Sequence, residues 1–266
     1  MASIWVGKRG TIRDYAGFNP SVDAEAIRKA IRGIGTDEKT LISILTERTN
    51  AQRQLIAKEY QALCGKELKD DLKGDLSGHF KHLMVALVTP PAVFDAKQLK
   101  KSMKGRRDES LKVDEQLARK DAQILYNAGE KRWGTDEDAF TDILCLRSFP
   151  QLKLTFDEYR NISQKDIEDS IKGELSGHFE DLLLAIVRCA RNTPAFLAER
   201  LYRALKGAGT DEFTLNRIMV SRSEIDLLDI RAEFKKLSGY SLYSAIKSDT
   251  SGDYEITLLK ICGGDD

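Results

Sequence analysis

Proline is scarce, with 5 in 266 residues, so long helices can run without interruption. An excess of either charge is lacking too: Lys plus Arg and Asp plus Glu number 42 each. That balance argues against a nucleic-acid binder that grips phosphates by charge alone, since such proteins usually carry a basic excess. An anionic partner would need its positive charge from elsewhere, and a metal ion is the simplest source. The four cysteines, Cys64, Cys145, Cys189 and Cys262, form no C-x-x-C pair and no zinc spacing with the three histidines. They are read as buried, reduced thiols. Met1 to Gly10 holds no apolar signal core, and the longest apolar stretches, such as Leu182 to Val187, are too short to span a bilayer. The expectation is a cytoplasmic protein, and the sequon Asn161-Ile162-Ser163 is then read as chance.

What is present is repetition. Gly-Thr-Asp-Glu occurs at Gly35 to Glu38, at Gly134 to Glu137 and at Gly209 to Glu212. Thirteen residues after each glycine stand Arg48, Arg147 and Arg222, and twenty-five after it Tyr60, Tyr159 and Phe234. The apolar columns Leu68, Ile167 and Leu242, then Leu72, Ile171 and Ile246, follow in step. Forty residues on come Asp75, Glu174 and Asp249, each followed by a Ser-Gly pair and then Phe80, Phe179 or Tyr254. From each glycine onward the copies need no insertion or deletion, so one structural unit has been duplicated.

Apolar spacing within a copy predicts five helices. In the first copy, Gly33 and Gly35 end the first helix, and Thr36 is the expected cap of the second, with Asp37 and Glu38 in its first turn. The arginine column is expected to tie down helix-end carbonyls. A glycine loop by itself reads as a helix-to-helix turn. Three loops that each keep an acid at the same distance, with Asp and Glu interchanging, point instead to a hard cation. Glycines curl the backbone so that carbonyls converge, and the acid supplies charge.

The K/R-G-x-G-T-D loop, the acid forty residues on and the S-G-[HD]-[FY] after it resemble the annexin repeat, from about Phe18 to the C-terminus. The resemblance implies an all-α fold of five-helix repeats wound into a right-handed superhelical disc. It divides the chain into a tail at 1–17, repeat I at 18–89, a remnant of repeat II at 90–105, a junction at 106–115, repeat III at 116–189 and repeat IV at 192–266. It implies Ca2+ sites at the carbonyls of Ile31, Gly33 and Gly35 with Asp75, and of Leu205, Gly207 and Gly209 with Asp249. In repeat III the loop is one residue longer, and the site would be Gly129, Arg132 and Gly134 with Glu174. Minor sites near Thr36 and Glu38 are added. Trp133 would contact the membrane, with packing against its own repeat as the alternative. The function implied is calcium-dependent binding to acidic phospholipid membranes, peripheral and reversible. By covering the membrane it would inhibit phospholipase A2 or act as an anticoagulant.

Repeat II departs from the pattern. Phe94, Asp95, Leu99 and Met103-Lys104-Gly105 match a first helix and the start of a loop, but Arg106-Arg107-Asp108-Glu109 follows. Loop glycines of III and IV lie 75 residues apart and those of I and III only 99, too few for two repeats. Most of repeat II is therefore missing. Two rival readings stand beside this one: a calcium-independent helical-repeat scaffold for protein partners, and an enzyme using His79, His82 or His178. No catalytic set or phosphate loop supports the second, and the expectation is a protein that is not an enzyme.

Overall fold

The computed structural model describes residues 9–32, 35–90, 107–130, 135–207 and 209–265. Among these there are fifteen helices and no strand. In repeat I they are α1 (Pro20–Arg32), α2 (Glu38–Glu47), α3 (Asn50–Cys64), α4 (Leu68–Asp75) and α5 (Gly78–Val88). In repeat III they are α6 (Glu115–Ala128), α7 (Glu137–Leu146), α8 (Phe149–Ser163), α9 (Ile167–Glu174) and α10 (Gly177–Arg191). In repeat IV they are α11 (Thr193–Leu205), α12 (Glu212–Arg222), α13 (Leu227–Ser238), α14 (Leu242–Asp249) and α15 (Gly252–Cys262). The residues expected to form the remnant of repeat II, including Phe94, Leu99 and Gly105, lie outside the described residues, apart from Pro90.

The chain forms two compact units. One joins the first 102 residues to 197–266, and the other holds 103–196. In the first, α1 packs on α2 and α3, while α2 and α5 pack on α12 and α15. In the second, α6 packs on α7 and α8, and α10 covers α7, α8 and α9. The apolar columns read from the sequence are the cores of these units: Tyr60, Tyr159, Phe234, Leu72, Ile171 and Ile246 are all fully buried. Burying side chains of this size contributes roughly 1.5–3 kcal/mol each and holds the five helices of a repeat together.

Helix ends follow local chemistry. Thr49 and Gln52 form a reciprocal capping box at the start of α3. The second-helix cap is not Thr36. Asp37 accepts from the Thr40 amide at 3.1 Å, and Asp136 and Asp211 do the same for Ala139 and Thr214. The aspartate can charge-assist the bond and complements the helix dipole. Hydrogen bonds from Thr40 and from Thr214 hold the carboxyls of Asp37 and Asp211 below the ordinary value.

The arginine column also differs from expectation. Arg48 does not cap carbonyls; it grips buried Asp23 of α1 through Nε at 2.7 Å and Nη2 at 3.1 Å. Arg147 grips fully buried Asp121 of α6 with the same two distances. In repeat IV the matching first-helix residue is Leu197, and Arg222 turns to Asp226 on its own side instead. The carbonyl role falls to Arg53, which donates to the main-chain oxygens of Arg48 and Leu87. Burial lowers the Arg53 pKa to about 10, with Glu224 opposing the shift.

The described tail, from Arg9, is strapped onto repeat IV. Arg9 N donates to Ile225 O, Thr11 N to Ser223 O, and Leu228 N back to Arg9 O. Gly10 lies so close that a Cβ there would stand 2.4 Å from the Glu224 carbonyl carbon.

Candidate metal centres

Each loop is closed by one main-chain bond. The amide of the second-helix cap donates to an alanine carbonyl near the end of the first helix: Asp37 to Ala30, Asp136 to Ala128 and Asp211 to Ala204, all at 2.9 Å. The bond spans seven residues in I and IV and eight in III. Repeat III, with one loop residue more, keeps the same closing bond. Gly35 and Gly209 take φ of +82° and +104°. A side chain there would be strained, so these positions need glycine.

The acids sit at the last residue of the fourth helix: Asp75 ends α4, Glu174 ends α9 and Asp249 ends α14. A carboxylate at a helix C-terminus opposes the helix dipole and does not help the helix. The Lys73, Lys172 and Lys247 side chains in the same turns are what helix electrostatics would choose. Helix stability therefore gives no account of the three acids.

The loops and the acids meet in III and IV. Thr210 Oγ1 stands 3.1 Å from the main-chain oxygen of Asp249 and 2.5 Å from its Oδ2. Thr135 Oγ1 stands 3.0 Å from the main-chain oxygen of Glu174 and 3.4 Å from its Oε2. The Cβ position of Gly129 lies 3.7 Å from Glu174 Cγ. In repeat I the matching bond between Thr36 and Asp75 is absent among the described residues, and Asp75 is exposed. The threonine role was missed in the sequence; the signal for it is that threonine follows the loop glycine in every copy.

Repeat III has a further brace. Glu130 accepts from Lys165 Nζ at 2.7 Å and from Ser170 Oγ at 2.9 Å. The Lys165 bond holds its carboxyl below the ordinary 4.5, against a smaller opposing effect of burial. In the first unit, Asp75, Asp249, Glu38 and Glu212 share one polar groove of about 420 Å3. There His79 Nε2 stands 3.2 Å from Glu212 Oε1.

Ile31 and Leu205 stand in the last turns of α1 and α11, while Gly35, Gly129, Gly207 and Gly209 lie in the connections that follow the first helices. Gly33, Arg132, Gly134 and Trp133 lie outside the described residues. Among the described residues no three His, Cys, Asp or Glu side chains gather as a metal cluster. The donors on offer are loop carbonyls with a carboxylate brought alongside in III and IV, all hard oxygens, the donor type that calcium takes.

Helical repeats closed by such loops define a class. The annexin family model matches residues 22–87, 120–186 and 196–261. The chain belongs to the annexin family, whose general activity is calcium-dependent phospholipid binding. It is 82% identical to annexin A3 of Bos taurus over an alignment of 323 positions that covers both proteins entirely. A solved structure of annexin III superposes with a TM-score of 0.93 at 74% identity, covering 100% of both chains. Calcium-bound annexin (Sm)1 superposes at 0.82 with 30% identity, covering 98% of this chain and 95% of the other. The alignment exceeds the 266 residues of this chain, and the matched segments leave out 88–119, so one repeat is truncated.

Proposed function

We propose that the chain bridges calcium between its loops and the phosphates of acidic phospholipids. The observation that carries this reading is the bond from loop threonine to helix-end acid in repeats III and IV. It brings to the loop a carboxylate that the helix itself does not want. Three carbonyls and one carboxylate leave calcium short of its usual 6–8 oxygens and leave it a net positive charge. A lipid phosphate satisfies both needs, so calcium affinity in solution is weak and rises on the membrane.

The ligand sets are Ile31, Gly33, Gly35 and Asp75; Gly129, Arg132, Gly134 and Glu174; and Leu205, Gly207, Gly209 and Asp249. Thr36 and Glu38 contribute a minor site, and Trp133 enters the membrane interface. The protein acts as a peripheral binder in the cytoplasm and not as an enzyme, and it slows phospholipase A2 or clotting by hiding lipid.

Sedimentation with phosphatidylserine vesicles tests this. Binding with calcium and release by excess chelator are expected; protein that stays bound in chelator refutes the bridge. With Trp5 replaced by phenylalanine, the remaining emission, from Trp133, should shift to the blue when calcium and vesicles are both present.

A further inference from the structure

Within the first unit, repeats I and IV cover each other in a reciprocal pattern. The second helix of I (α2) packs on the fifth of IV (α15), the fifth of I (α5) packs on the second of IV (α12), and the two fifth helices touch. Asn50 N donates to Glu224 Oε1 at 2.7 Å, and these two residues hold the same repeat position, fifteen after their loop glycines. A position that meets its own equivalent lies beside a pseudo-two-fold axis. This is the pattern of an isologous interface, built here from two similar repeats of one chain.

Repeat III carries the same face open. Leu83 of repeat I is 0% exposed, and so is its equivalent Thr257 in repeat IV, but Leu182 in repeat III is 44% exposed. Ile42 and Asn216 are buried, whereas Thr141 is exposed. Leu87 and Ile261 are fully buried, whereas Ile186 is half-buried.

The chemistry of the face has changed in a consistent direction. Where repeats I and IV join Glu47 to Lys260 at 3.1 Å, the same two positions in repeat III are Leu146 and Ala185. Leu146 is 40% exposed. The axial pair Asn50 and Glu224 becomes Phe149, half-buried beneath the Arg107 guanidinium at 4.7 Å. At both places the charged or polar side chains of repeats I and IV give way to apolar ones in repeat III, which fit a second apolar surface better than a charged one.

We propose that two copies of this chain associate through repeat III, about a true two-fold axis at Phe149, in the register that repeats I and IV use within one chain. Leu146 of each copy lies on Ala185 of the other, and Leu182 and Ile186 become buried. The association needs neither calcium nor lipid.

Sedimentation equilibrium in chelator, without vesicles, reads the outcome. A discrete concentration-dependent dimer is expected. Leu182→Lys together with Leu146→Lys should weaken it about a hundredfold or more, since two central contacts are lost. Leu237→Lys, an exposed leucine on α13, should leave it unchanged. Circular dichroism confirms that each variant keeps its helices. The register has its own test. Leu146→Glu alone and Ala185→Lys alone should each weaken the dimer, and the double variant should recover it, because it transplants the Glu47–Lys260 pair across the axis. A parent that stays monomeric, irregular aggregates in place of a dimer, a monomeric chain that pairs only with a four-repeat relative, or a double variant no better than the singles would each overturn the proposal.

Discussion

The Thr210 hydroxyl stands 2.5 Å from Oδ2 of Asp249 and 3.1 Å from the main-chain oxygen of the same residue. One side chain of the loop thus steadies both oxygen types that the end of α14 can offer a cation. Thr135 has the same relation to Glu174 in repeat III.

The carboxylates should dominate calcium affinity, because loop carbonyls give the ion no formal counter-charge. Asp249→Asn, Glu174→Gln and Asp75→Asn are each expected to raise the calcium needed for vesicle binding, by roughly tenfold at the site concerned. The triple amide should not bind. Asp108→Asn, at the broken repeat, should change nothing, since that carboxylate is occupied by Ser110. Vesicle sedimentation at stepped calcium measures this. A folded triple amide that binds at the parent's calcium would sink the assignment.

Gly10 should not tolerate a side chain. A Cβ would stand 2.4 Å from the Glu224 carbonyl carbon, and main-chain atoms cannot swing aside as a flexible side chain would. Gly10→Ala is expected to peel the tail from repeat IV, costing about 1–3 kcal/mol in urea unfolding. Limited proteolysis should cut near the N-terminus sooner than in the parent. An unchanged digestion pattern would contradict this.

The Glu130 brace makes a pH-dependent contribution to the stability of repeat III. Its folded carboxyl holds a proton less tightly than the unfolded one does, through the Lys165 bond. The brace therefore contributes fully above the ordinary value of 4.5, and the contribution is lost as pH falls through the depressed folded value. Glu130→Gln should be less stable than the parent at neutral pH, and the gap should close in acid. Paired urea titrations across that range give the answer; a gap that widens in acid would reverse the sign.

Repetition made much of this protein legible without coordinates. An apolar column that recurs at fixed distances from a loop glycine has to face a core, and Leu72, Ile171 and Ile246 do. In repeats III and IV the contact of the loop threonine with the acid fits the spacing read along the chain, and one truncated repeat was legible from the distances between loop glycines. Polar partners were not. Thr36 and Asp37 are both helix-capping residue types at adjacent positions, with aspartate the better of the two; the aspartate caps, and in repeats III and IV the threonine has the helix-end acid to hold. Arg48 finds Asp23 across a helix pair, while Arg222, facing Leu197, turns to Asp226, so the same column has two solutions. The reciprocal packing of repeats I and IV is likewise invisible along the chain. Periodicity along a sequence records which side of a helix is apolar. Which surface covers that side, and which carboxylate a guanidinium meets, is decided only when helices distant in sequence are brought together.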